Sequence, residues 1–280
     1  MNFKISGFSD EINENIDIQF STLNKLGIEY FEPRGINGKN VSELSYEEKT
    51  ELLEKMREYN IKASSIGSPV GKIDIDGDFG AHLELLRAVI DTAHAIHCDK
   101  IRIFSFYLPE ESRKVRREDV LEKMRTMVEL AKSENVVLLH ENEKGIYGEH
   151  PEECLDIFKS VPSKHLRGVF DPANFVQCGV KDVSSAFDML CDHVDYMHIK
   201  DALDDGSIVP AGMGRGCIED ILKKLKARGY NGFLSLEPHL GSFKGLEALE
   251  QSGEMLKLEK ASDKTFALAY NSLKKIIERI

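Results

Sequence analysis

Cysteine is scarce in this chain. The five that occur, Cys98, Cys154, Cys178, Cys191 and Cys217, are scattered and form no CxxC pair. An odd, dispersed set argues against a disulfide framework and fits reduced thiols in a cytoplasm, which is the expected location. A buried cysteine is ordinarily a small hydrophobe, so none is given a further role. Long apolar runs are also missing: none reaches the roughly 18 residues of a membrane-spanning helix. The opening MNFKISGFSDEI lacks a basic stretch followed by an apolar one, so no secretory leader is expected. No Pro-rich, Gly/Ser-rich or single-residue tract divides the sequence, which reads as one domain over 1–280. Positive charge is in deficit, with 37 Lys and Arg against 48 Asp and Glu and a net charge of −11. Such a surface repels phosphate backbones, so neither nucleic acid nor a membrane surface is an expected partner.

Apolar residues make up 41% of the 280, enough for a full core. Strand-like runs recur at Phe3–Phe8, Ile28–Phe31, Ile61–Ile66, Lys100–Phe106, Val136–His140, Leu166–Phe170, Val194–Ile199 and Phe233–Leu236. Helical stripes lie between them. Leu83, Leu86, Ile90 and Ala93 share one helix face, as do Val120, Met124, Met127, Val128 and Ala131, and then Ile218, Ile221, Leu222 and Leu225. A last stripe runs through Phe266, Tyr270, Leu273, Ile277 and Ile280. Gly27, Asn60, Asn135 and Gly229 stand where helices should stop before strands. Eight βα units of about 35 residues predict an α/β fold, a single (β/α)8 TIM barrel. An open doubly wound sheet is the competing fold, but the turn after the first strand, Ser9-Asp10-Glu11, has no GxGxxG. The irregular stretch 238–262 follows the eighth strand and reads as a loop on the catalytic face.

In a barrel the C-terminal strand ends converge on one site. The last four strands here end VVLLHE, LRGVFD, VDYMHIK and FLSLE. They bring Glu141, Asp171, His198 and Glu237 to that face. Taken singly, Asp171 before Pro172 reads as a helix N-cap, and His198 as a hydrogen-bonded core histidine. Taken together on successive strands, three carboxylates and an imidazole suit one hard or borderline divalent ion. Manganese is the expected ion, with magnesium, cobalt or zinc able to serve. Lys200 lies two residues beyond His198 on the same side of its strand, placed either for a substrate oxygen or for a salt bridge. Gly212-Met213-Gly214-Arg215-Gly216 reads as a plain turn rather than a phosphate cradle.

At these residues the sequence resembles the xylose-isomerase-like barrel superfamily of sugar isomerases and epimerases. LNKLGIEYFEPRG, HENEKG, FDPANF, YMHIKD, GMGRGCIED and LSLEPH carry the resemblance in order along nearly the whole chain. It implies one metal held by Glu141, Asp171, His198 and Glu237, with Glu141 and Glu237 also acting as the acid/base pair. Lys200, Asn174, Glu32 and His239, at or just beyond the strand ends, are the substrate-binding candidates. Chelation of a carbonyl and its neighbouring hydroxyl would acidify the C–H between them, and the same cation would stabilise the enediolate. Isomerisation or epimerisation of a small sugar or polyol ketone is therefore expected. Dehydration of an inosose or 3-oxo-sugar on the same site is the alternative, and a sugar-binding barrel without catalysis stands third. An endonuclease-type reading would need histidines at the ends of strands one to four, and there are none. Two positions depart from the ketose epimerases: Asn174 replaces a histidine, and Lys200-Asp201-Ala202-Leu203-Asp204 lacks an arginine. Related barrels are often dimers or tetramers, so a homo-oligomer is compatible with the resemblance.

Overall fold

Strands covered on both faces need apolar side chains on both, and a parallel sheet meets that need when helices wrap it. The computed structural model describes residues 3–240 and 261–280. It shows a curled parallel sheet built from the expected runs: Lys4–Gly7, Ile66–Gly67, Lys100–Ile103, Val137–Glu141, Leu166–Phe170, Val194–Ile199 and Phe233–Leu236. Strand one lies beside strand eight, with Gly7 opposite Leu236, and strand eight beside seven, with His198 opposite Ser235. The order continues through six, five and four to the second half of the third strand. Tyr30–Phe31 pairs with Lys62–Ala63, the first half of that strand. The circuit closes where the Glu32 N–H donates to the Gly7 carbonyl at 2.8 Å. The architecture is the (β/α)8 barrel of the sequence reading.

Two strands differ from their expected form. The third is interrupted at Ser64-Ser65, where the Ser64 hydroxyl turns inward to Ser6 at 2.5 Å and Tyr196 at 2.8 Å. The fourth stops at Ile103 rather than Phe106. There the Phe104 N–H turns to the Val70 carbonyl, and Phe106 takes a φ of +68°, which ends strand pairing.

Helices cover the outside for local reasons. Asn15 caps Ile16–Leu26, and Ser45 with Glu48 forms a capping box on Tyr46–Glu58. Gly27 ends the first of these helices with φ +72°, a left-handed conformation that costs glycine nothing. Asn60 and Asn135, two of the expected stop positions, also have positive φ. The Val120, Met124, Met127, Val128 and Ala131 stripe is buried along Arg113–Ser133. Ile218, Ile221, Leu222 and Leu225 are buried along Ile218–Ala227. In Ala261–Arg279, Phe266 and Leu273 are fully buried. Among the described residues no helix is long and apolar enough to cross a membrane. Of the loop expected at 238–262, residues 241–260 lie outside the described residues.

Period-two alternation then fixes what the barrel interior contains. Leu139, Val169 and Tyr196 form a buried layer on strands five, six and seven. Two residues further along each strand come Glu141, Asp171 and His198, one layer higher at the C-terminal mouth. The fold thus turns one register of side chains into a ring of ligating groups.

Candidate metal centre and active site

Glu141, Asp171, His198 and Glu237 meet at this mouth. All four are buried, and each offers a ligand atom within 4.8 Å of the others. His198 Nδ1 lies 2.9 Å from Glu141 Oε1, 3.6 Å from Glu237 Oε2 and 3.9 Å from Asp171 Oδ2. Asp171 is a helix N-cap that also faces the cluster. Its Oδ1 accepts from the Asn174 N–H at 2.9 Å, capping Pro172–Gln177, while Oδ2 faces the other ligands. Lys200 Nζ is 2.8 Å from Glu237 Oε2 and 3.0 Å from Asp171 Oδ2.

Electrostatics show a site with surplus negative charge. Burial pushes the Asp171 carboxyl up to about 7, and Glu141 and Glu237 push the same way against Lys200. Its Oδ2 is a buried oxygen that takes no hydrogen bond, although Lys200 is near. Burial would also raise Glu141, but His198 and Arg102 bring it down to about 2. Burial opposes charge on His198, yet Glu141 and Glu32 hold its imidazole well above the usual range. Three carboxylates, one of them with an oxygen that takes no hydrogen bond, and a ring with one nitrogen turned inward form a donor set that fits a divalent ion.

The candidate substrate residues sit in different places. Glu32 is fully buried beneath His198, away from the open mouth. Its Oε2 accepts from Ser235 Oγ at 2.6 Å and the Tyr196 hydroxyl at 2.9 Å, and lies 3.3 Å from His198 Nε2. In that placement every oxygen of Glu32 is turned to the protein. A carboxylate behind a ligating histidine fixes the ring and its proton. Glu32→Gln is accordingly expected to weaken divalent-ion affinity about 10–100-fold, measured by Mn²⁺ titration of the metal-free protein. Equal affinity would leave Glu32 with packing alone.

Asn174 is likewise committed to the protein. Its amide donates to Glu141 Oε1 at 3.2 Å and to the Asn142 carbonyl at 2.9 Å. Asn142 and Asp171 exchange a further pair of bonds, both 2.9 Å. His239 stands at the rim with a 44% exposed side chain, its Nε2 3.6 Å from Glu237 Oε1.

Two arginines complete the site without having been singled out in the sequence. Arg102, in the strand Lys100–Ile103, donates to Glu141 Oε2 at 2.8 Å while 6% exposed. A charged residue inside the apolar run KIRIF, at an inward register, is the signal that could have found it. Arg34 lies over the Phe8 ring at 4.5 Å and donates to Asp10 Oδ2 at 2.8 Å and to Glu237 Oε1 at 3.4 Å. The Gly212–Gly216 turn is a turn around Asp201: the N–H groups of Gly212, Gly214 and Gly216 all donate to that carboxylate.

Comparison with known proteins agrees with this fold. The family described as xylose isomerase-like TIM barrel matches residues 20–259. No curated protein matches the chain. A D-tagatose 3-epimerase-like protein superposes with a TM-score of 0.74 at 19% identity, over 99% of each chain. The probable 3-DHS dehydratase AsbF of Bacillus anthracis gives 0.72 at 17%, covering 98% of this chain and 99% of its own. A xylose isomerase-like TIM barrel protein from Mycobacterium smegmatis in complex with magnesium gives 0.70 at 16%, covering 93% and 87%. At these identities the likeness is one of fold.

Proposed function

The chain belongs to the xylose isomerase-like TIM barrel family, and from that premise we propose a metal-dependent isomerase or epimerase of a small sugar or polyol ketone. The observation that carries the reading is the convergence of Glu141, Asp171, His198 and Glu237 within 4.8 Å at the barrel mouth. A divalent ion held there, manganese first and magnesium, cobalt or zinc otherwise, would polarise a substrate carbonyl and acidify the neighbouring C–H. The protein's own groups do the rest. Glu237, next to the exposed rim, is placed to take the proton. Glu141, held by Arg102 and Asn174, fixes the site and returns a proton from the other wall. Lys200 can hold a substrate oxygen between Asp171 and Glu237.

A second reading is a lyase. Lys200 favours it, because an ammonium 2.8 Å from the candidate base can protonate a departing hydroxyl. The dehydratase among the structural relatives shares only the fold.

The test is proton exchange in D₂O. With Mn²⁺ and a panel of ketoses, inososes and 3-oxo-glycosides, deuterium is expected at a carbon beside the carbonyl. An epimer or isomer as product supports the first reading and an enone the second. Silence across the panel with ion bound would sink both.

A further inference from the structure

A polar side chain inside an apolar barrel either finds a partner or costs stability. Five such groups lie together in the layer beneath His198, all of them buried: Ser6, Glu32, Ser64, Tyr196 and Ser235. Ser6, Tyr196 and Ser235 come from strands one, seven and eight, Glu32 from the end of strand two and Ser64 from the break in strand three. Closure of the barrel is what gathers them. Ser235 Oγ and the Tyr196 hydroxyl both donate to Glu32 Oε2, at 2.6 and 2.9 Å. The phenol oxygen is also 2.8 Å from Ser64 Oγ, which is 2.5 Å from Ser6 Oγ. The chain of hydroxyls thus ends on one carboxylate.

That carboxylate faces the imidazole. His198 Nε2 lies 3.4 Å from Glu32 Oε1 and 3.3 Å from Oε2. With two hydroxyls already on Oε2, Oε1 is the oxygen open to the ring. A carboxylate accepts and does not donate, so Nε2 is the nitrogen that keeps its hydrogen. Nδ1 is then the nitrogen for an ion, and it is the one turned to Glu141, Glu237 and Asp171, at 2.9, 3.6 and 3.9 Å. Two rings hold the imidazole edge-on, Phe8 at 5.2 Å and Tyr196 itself at 5.9 Å between centroids. Packing alone does not call for a carboxylate in this layer, because burying one is costly unless it is hydrogen-bonded. Tyr196 and Ser235 offset that cost, which ties their hydroxyls to what Glu32 does for His198.

We infer that Tyr196 and Ser235 are positioning residues of the metal centre. Their hydroxyls fix Glu32, and Glu32 fixes the ring so that Nδ1 is presented to the ion. The inference rests on the metal-centre reading, and it extends that reading to side chains that touch neither the ligand oxygens nor the open mouth. It also gives the break in strand three a purpose, since Ser64 reaches the phenol from there.

The test uses Mn²⁺ alone, titrated into the metal-free full chain, with free ion followed by EPR and the thermal midpoint read beside it. Tyr196→Phe and Ser235→Ala are each expected to weaken binding about 10-fold, the lower end of what a lost outer partner of a ligating histidine costs. Adding either to Glu32→Gln should weaken binding no further, because both act through that carboxylate. A merely structural role would move the midpoint and leave the affinity alone. Wild-type affinity in either single variant, or losses that multiply in the double variants, overturns the inference and leaves the metal centre standing. If Tyr196→Phe does not fold, Ser235→Ala and its double with Glu32→Gln decide on the same terms. No binding by the wild type removes the metal-centre reading and this inference with it.

Discussion

Glu237→Gln is expected to lower metal-dependent C–H exchange by about 10³-fold, within the range that one positioned acid/base group contributes. It should also reduce metal content while the protein stays folded. The reason lies in what surrounds the carboxylate. Burial would raise its pKa, but Lys200 and His198 hold it well below the usual range, so it enters the reaction ionised. An amide of the same shape has no anionic oxygen for a cation and cannot take a proton. The fold should tolerate the change, because the site carries more carboxylate than cation. Asp171 still faces Lys200 at 3.0 Å, and it loses the repulsion of Glu237 that helps lift its pKa. Exchange rate in D₂O, bound metal per chain and the thermal midpoint are the three readouts. Unchanged metal content with full exchange would take Glu237 out of the centre. A collapse of the thermal midpoint would mean that the carboxylate is chiefly structural.

What could be read from sequence divides along a physical line. Strand interiors and helix stripes were legible because burial on a fixed period leaves a fixed pattern. His198 and Glu237 stood out because a polar residue ending an apolar run in a parallel barrel has one place to go. The partners of these groups were not legible. Glu32 ends its strand just as Glu237 does, yet it lies beneath the imidazole, hydrogen-bonded to Ser235 and Tyr196. Nothing in IEYFEPRG distinguishes an upward carboxylate from one that serves the layer below. Arg102 and Asn174 reach Glu141 across 39 and 33 positions, a pairing set by closure of the barrel and not by spacing along the chain. The early end of the fourth strand, at Ile103, depends on Val70 and Gly71 accepting its departing N–H groups. The run KIRIFSF keeps strand character throughout, so tertiary contact overrides local propensity there.

The same distinction separates stability from activity in the largest structural effect expected, that of Asp201→Ala. Asp201 is fully buried directly after Lys200. Its carboxylate accepts four backbone N–H bonds, from Ala202 at 2.9 Å, Gly212 at 2.9 Å, Gly214 at 3.0 Å and Gly216 at 2.8 Å. The loop wraps this closely because it is glycine: a Cβ at Gly214 would collide with the Asp201 carboxylate and the Ala202 carbonyl. Alanine at 201 would strand these donors, each unmade bond to a buried group costing about 1–3 kcal/mol. The loop can relax toward water and recover part of that, so a net loss of about 3–5 kcal/mol is expected, or roughly 5–10 °C in the thermal midpoint. Asparagine should recover only part of this, since its oxygen can accept one pair of these N–H groups while its NH₂ points at the other pair, which needs an acceptor. Thermal and denaturant unfolding of Asp201→Ala and Asp201→Asn beside Glu237→Gln provide the check. The Asp201 variants should lose stability first, and activity only because Lys200 and His198 stand just before it in the chain. If Asp201→Asn melts with the wild type, the carboxylate does not organise this loop, and the glycines must be accounted for by close packing alone.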